Sequence, residues 1–132
     1  MSTFKNVEEA REFFKKDKYA LNSGIVIDEL TENGCVCSME ITENHKNAIG
    51  GVMGGAIFTL ADLAFSVACN NAHKPTVALQ TSISFLSSAK GTKLFAKAEC
   101  VKDGRTTAVY NVDLSDDTGR HIARVVCTGY KL

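Results

Sequence analysis

The sequence predicts a single α+β domain over residues 1–132, and three features predict it. An apolar run of good helix length covers 56–69. Segments that alternate apolar and polar residues lie on both sides of it. Turn residues mark the joints, above all Asn33-Gly34, Asp103-Gly104 and Asp117-Thr118-Gly119. One long helix packed by one face of five or six antiparallel strands is the α+β arrangement these features specify. The other face of the sheet is left for solvent or a second subunit.

Each element has a local cause. Asn6 followed by Glu9 is a capping box for a short helix near 6–16. The segment "SGIVIDELTENGCVCSMEIT" gives two strands around the Asn33-Gly34 turn. In "TVALQTSISFLSS", Val77, Leu79, Ile83 and Phe85 point one way and Thr76, Gln80, Ser82 and Ser84 the other. In "KLFAKAECVK", Leu94, Ala96, Ala98 and Cys100 face inward. Asp103-Gly104 then turns the chain into "RTTAVYNVDL", and Asp117-Thr118-Gly119 leads into a last strand, "RHIARVVCTGY".

Composition excludes several function classes. Fifteen basic and fifteen acidic residues cancel, and no basic stripe calls for nucleic acid. The stretch Asn47–Asn71 is almost free of charge, yet its glycines and Asp62 argue against a membrane span. An exposed carboxylate at mid-bilayer costs about 3 kcal/mol. The five cysteines are scattered without a C-x-x-C pair, as expected of reduced core thiols in a cytoplasmic protein. The segment "MSTFKNVEEAREFFKKDK" has no apolar core of a signal peptide. His45, His73 and His121 are isolated and read as solvated loop or strand-end residues, so no metal site is expected.

The lone carboxylate of the apolar run carries the functional question. At about 100° per residue, Ile57, Leu60, Ala61, Ala64 and Ala68 form one apolar face. Phe58, Phe65 and Cys69 widen it, so the helix is buried. Thr59, Asp62, Ser66 and Asn70 form a narrow polar stripe without Lys, Arg or Glu. Such a stripe faces either water or a closely approaching protein layer or ligand. Four glycines in "GGVMGG" precede the helix. Free N–H groups at a helix start bind an oxyanion. With a carboxylate about two turns on, they supply the two parts that acyl-group hydrolysis needs. No Lys-Ser or Lys-Thr follows the glycines, and no G-x-S-x-G occurs, which sets aside a P-loop and a serine hydrolase.

The segment "NAIGGVMGGAIFTLAD" resembles the hotdog-fold thioesterases of the PaaI-like, phenylacetate-degradation type. Their motif is N-x-x-G-x-x-H-G-G followed by a helix carrying Leu-Ala-Asp. Asn47, Gly50, Gly54, Gly55 and Asp62 match it in register, and the later strands and "SFLSSAKG" also look like the family's. The resemblance implies a curved antiparallel sheet wrapped around the long helix. It implies a homo-oligomer, a dimer or a dimer of dimers (a homotetramer), with active sites at the subunit interface. The implied reaction is hydrolysis of an acyl- or aryl-acyl-CoA to acid and CoA, with no cofactor beyond the coenzyme A of the substrate.

Carried over residue by residue, Asp62 is the general base or, through an anhydride, the nucleophile. The Gly54 N–H polarises the thioester carbonyl, and Asn47 orients water or carbonyl. Met53, Gly55, Phe58 and Phe65 are expected along the substrate tunnel. Ser87, Ser88, Lys90, Lys102 and Arg105 are candidates for the CoA moiety. Two positions depart from the family: its histidine before Gly-Gly is Met53, which cannot donate a hydrogen bond, and its strand Ser or Thr is Ala78, for which Thr76 or Gln80 substitutes. These departures favour a second class of reading, a non-catalytic acyl-CoA-binding hotdog module. A hotdog dehydratase is the third; such enzymes usually need a histidine with their aspartate, and no histidine sits in the helix or its loop here.

Overall fold

A computed structural model describes residues 2–132. Helix α1 spans Val7–Phe13 and continues as a 3₁₀ turn, Phe14–Lys16. The Asn6 side chain accepts from the Glu9 N–H at 2.9 Å, while Glu9 Oε1 reaches the N–H of Lys5 rather than Asn6. Arg11 donates to the Ile27 carbonyl and ties this helix to the sheet. A five-residue helix that sequence reasoning missed, α2 (Lys18–Asn22), follows.

Strands β1 (Ile25–Thr31), β2 (Gly34–Glu40), β3 (Thr76–Phe85), β4 (Lys93–Asp103), β5 (Thr107–Asp116) and β6 (His121–Lys131) form one sheet in the order β1-β2-β4-β5-β6-β3. Every neighbouring pair is antiparallel. The expected α+β class and strand number are both present. Helix α3, Gly54–Ala72, crosses the inner face. It is longer than 56–69 at both ends, because Gly54 and Gly55 already have helical backbone and Asn70–Ala72 continue it.

Small inward residues let the helix close on the sheet. Cys35 and Cys37 of β2 pair with Ala98 and Ala96 of β4, and all four are fully buried. The Cys35 thiol donates to the Ala64 carbonyl of α3. Phe65 and Tyr110 meet edge to face at 5.7 Å between ring centroids. Burial pushes the Cys69 and Cys127 thiols up to about 12. All five cysteines are free, and only Cys100 is not fully buried.

The structure corrects three local expectations. First, the β1–β2 turn residues are Glu32 and Asn33, since Thr31 pairs with Gly34. Gly34 is a strand residue, and a Cβ there would run into the backbone carbonyl of Ala98. The glycine therefore serves close approach of β2 to β4 rather than turn geometry. Gly34→Ala is expected to destabilise the chain by about 3 kcal/mol, the upper end for overpacking, read as a lower urea midpoint at unchanged slope.

Second, a bulge between Ala78 and Gln80 reverses the parity of β3. Thr81, Ile83 and Phe85 pair with the inward Cys127, Val125 and Ala123 of β6, but so does Ala78 with the buried Gly129. Val77, expected on the same face as Ile83 and Phe85, lies opposite Tyr130, and both are exposed. Third, Asn70 is buried, not part of an open stripe. Its Nδ2 donates to the Ser66 and Thr76 carbonyls and its Oδ1 accepts from the Thr76 N–H. It clamps the end of α3 to the start of β3.

Candidate active site

The glycine loop is anchored from below by His45. Contrary to the expectation of a solvated residue, His45 is buried. Its Nδ1 accepts from the Thr42 N–H at 3.0 Å, which leaves Nε2 to donate to the Ser23 carbonyl at 2.7 Å. Its own carbonyl accepts from the Met53 N–H, fixing the residue that precedes α3. Between these anchors Asn47 closes the loop on itself. Its N–H donates to the Gly51 carbonyl, and its Oδ1 accepts from the N–H groups of Ile49 and Gly51 at 3.1 and 3.0 Å. Gly50 has φ +87°, the left-handed region that favours glycine. With Oδ1 engaged, only Nδ2 of Asn47 remains to meet a substrate.

Met53 caps α3 by position alone, with no side-chain hydrogen bond. The N–H groups of Gly54 and Gly55 have no partner among the described residues. They stand at the positive end of a helix of 19 residues. The Phe85 ring packs directly on Gly54, where a Cβ would come within 2.9 Å of its Cζ. A Cβ on Gly55 would meet only the Met53 side chain, at 3.9 Å or more. A side chain at position 54 would thus have to displace the exposed Phe85 ring, whereas one at position 55 meets no such obstacle.

A cleft of about 510 Å³ opens here between two walls. Asn47, Ile49 and the start of α3 form one, and Phe85, Leu86, Ser87 and Ser88 form the other. Ile49 is 92% exposed at the tip of the glycine loop. Ser87 donates its hydroxyl to the His121 carbonyl, so that group holds the wall.

Asp62 lies elsewhere. It lies eight positions beyond Gly54, about 12 Å along the helix axis, and it does not line the cleft. Its carboxylate is half-buried and accepts no hydrogen bond among the described residues. Burial, and to a smaller extent the Asp17 carboxylate of the neighbouring segment, raises its carboxyl above the ordinary value.

The remaining expected residues divide. Asn47, Gly54, Ser87 and Ser88 come together at the cleft. Met53 is exposed beside it and Phe58 is half-buried on α3, while Phe65 is buried against Tyr110. Gln80 is exposed on β3, its amide donating to the Thr81 carbonyl. Lys90 follows the Ser87-Ser88 wall, but Lys102 and Arg105 sit at the other end of the sheet. The length of β5, about 30 Å, separates them. One chain therefore cannot present Lys90 and Arg105 to the same phosphate group. Phe85, Leu86 and Ile49 were missed as cleft residues. Their alternation and loop position carry no sign of the helix start they approach.

Comparison with known proteins bears on the family and the fold. The family model described as thioesterase superfamily matches residues 49–123. The acyl-coenzyme A thioesterase PaaI of Escherichia coli K12 is 31% identical over 117 residues, 88% of this chain and 84% of that protein. The structure of the E. coli PaaI protein from the phenylacetic acid degradation operon superposes with a TM-score of 0.88 at 28% identity, covering 95% of this chain and 91% of that one. The crystal structure of a hypothetical thioesterase protein with coenzyme A from Streptococcus pneumoniae TIGR4 gives a TM-score of 0.81 at 27% identity over 89% of this chain and 94% of that one.

Proposed function

The chain belongs to the thioesterase superfamily, and we propose that it hydrolyses acyl-CoA thioesters at a site completed by a second copy of itself. The observation that carries this reading is a separation. Free N–H groups at Gly54 and Gly55 and an unpartnered carboxylate at Asp62 are the two halves of an acyl-transfer site, yet they lie about 12 Å apart in one chain. A two-fold partner brings Gly54 of one copy opposite Asp62 of the other.

The edge strand β3 supports such pairing. It leaves Val77, Leu79 and Phe85 exposed, and the unpaired side of its backbone is free for another strand. The thioester carbonyl then docks on the Gly54 N–H, with the Asn47 amide beside it. Asp62 of the partner copy takes a proton from a water as that water attacks the carbonyl carbon, or attacks the carbonyl itself and expels the thiolate to form an anhydride that water then cleaves. The oxyanion of the tetrahedral intermediate rests on the helix start. The CoA thiolate departs and takes up a proton. No cofactor enters beyond the coenzyme A of the substrate. The free thiols suit a reducing, cytoplasmic setting. Among the described residues, no helix is long and apolar enough to cross a membrane.

Met53 in place of the family's histidine, and Ala78 in place of its strand hydroxyl, favour the second reading of a binding module without catalysis. Release of free thiol from a panel of aryl and aliphatic acyl-CoAs separates the two: binding without release would establish the module. Complementation tests the shared site. Asp62→Asn and Gly54→Val chains, each nearly inactive alone, are unfolded together and refolded. Half of randomly mixed dimers are hybrids with one intact site, so about a quarter of wild-type activity returns. No recovery, with hybrids shown to form, would place both halves in one chain.

A further inference from the structure

The turn from β5 to β6 carries two carboxylates whose contacts reach beyond the turn that the sequence pattern marks and that the reaction does not use. Asp116 is buried, and its two oxygens face different segments. Oδ1 accepts from the Thr118 N–H, the Thr118 hydroxyl and the Arg120 N–H, which shapes the turn. Oδ2 accepts from the N–H groups of Lys90 and Gly91, at 2.8 and 3.0 Å, in the segment that follows the cleft wall. Asp117 continues the pattern, with Oδ1 accepting from the Thr92 and Lys93 N–H groups and Oδ2 from the Thr92 hydroxyl.

The fit is close enough to constrain the other strand of the contact. A Cβ on Gly91 would run into the Asp117 carboxylate, so only glycine lets the segment wrap around it. The donors, led by the Thr118 hydroxyl, hold the Asp116 carboxyl well below the usual carboxylate range. An asparagine would satisfy the turn alone, since one oxygen serves it. A carboxylate is needed only because a second oxygen must accept from Lys90 and Gly91 as well.

What these carboxylates hold is the cleft. Residues 86–92 have no helix or strand of their own. Their upstream part is bound to the same turn region, through Leu86 N–H and Ser87 N–H to the Ile122 carbonyl and Arg120 Nε to the Ser88 carbonyl. We propose that Asp116 and Asp117 are positioning residues for the thioesterase site, latching 90–93 onto the β5–β6 turn and so setting the distance between the Leu86–Ala89 wall and the start of α3. The proposal rests on the cleft being the acyl-CoA site.

Asp116→Asn separates the two roles. Its single oxygen can keep the three turn donors, while its NH₂ faces the N–H groups of Lys90 and Gly91. Gly91→Ala tests the second carboxylate, since its Cβ pushes aside the Asp117 group that accepts from the Thr92 and Lys93 N–H groups. Both full-length variants are compared with the wild type by amide hydrogen exchange at Lys90–Lys93, by melting, and by steady-state hydrolysis of hexanoyl-CoA and benzoyl-CoA. We expect exchange at these amides to quicken by about tenfold or more, and KM to rise by about tenfold while kcat stays within about threefold. Unchanged exchange would overturn the latch. Quickened exchange with unchanged KM would overturn the positioning role, as would a lowered melting temperature as the only change. A wild type that hydrolyses neither thioester is a different failure, that of the functional reading, and is visible before any variant is made.

Discussion

Asp62→Asn leaves the chain folded, lowers thioester hydrolysis by about 10² or more, and raises the melting temperature at neutral pH. The fall in hydrolysis follows from removing the proposed base or nucleophile. The last follows from linkage. Burial, aided by Asp17, raises the Asp62 carboxyl above its ordinary value of 3.8. Between that value and the raised one, the native state binds more protons than the unfolded chain. Stability therefore falls as pH rises through this window, and the full cost persists above it. Asparagine carries no charge, so the variant escapes the cost at pH 7. Below the ordinary value both states of the wild type are protonated, and the advantage disappears. Melting curves of wild type and variant should diverge at neutral pH and converge at about pH 3. The acidic limb of the pH–rate profile should vanish with the carboxylate. A variant that melts lower at pH 7 and keeps wild-type turnover would make Asp62 a structural residue.

Gly54→Val should cost a comparable factor, for a different reason. Losing one oxyanion donor raises the barrier by about 3 kcal/mol, a fall of about 10² to 10³ mainly in kcat. The side chain does not delete the N–H; it crowds the place where the carbonyl must dock. It also collides with Phe85, whose ring already packs on Gly54. The double variant Gly54→Val/Phe85→Ala relieves that collision. If activity stays low, the helix start itself is the docking point. Full recovery on removing the ring would mean that the glycine only makes room for Phe85. Met53→His adds a side-chain donor beside the same carbonyl, and should hold or raise the rate. Its abolishing activity while Gly54→Val retained it would move the carbonyl elsewhere.

Elements whose cause is local were legible in the sequence. The apolar run of α3, the alternation of β4 and β5, and the cap at Asn6 each follow from residues a few positions apart. The Gly-Gly start and the carboxylate two turns later could be read for the same reason. What escaped depends on contacts between distant segments. The bulge in β3 inserts one residue and flips every side chain beyond it, which alternation alone does not reveal. Gly34 looks like half of a turn until β4 is laid against it. Asn70 has the spacing of the polar stripe, and only Thr76 shows that it is a clamp. The Asp116 contact joins two loops that neither periodicity nor motif connects. The candidate site was legible in the residues as an inventory, and its division between two copies was an expectation of the family resemblance alone. Helical spacing puts Gly54 and Asp62 on one element, and the rise per residue then keeps them from acting on one carbonyl.

The interior sulfur chemistry has a practical side. Burial pushes the Cys69 and Cys127 thiols up to about 12, and Cys35 and Cys37 are sealed between helix and sheet. An aromatic disulfide reagent that counts the coenzyme A set free reacts with thiolates, so these four groups are invisible to it while the chain is folded. Cys100 alone is within partial reach. When the chain opens, the buried four become reactive together. The same colour change that follows turnover thus also registers, as a late burst, the moment at which the catalyst itself comes apart.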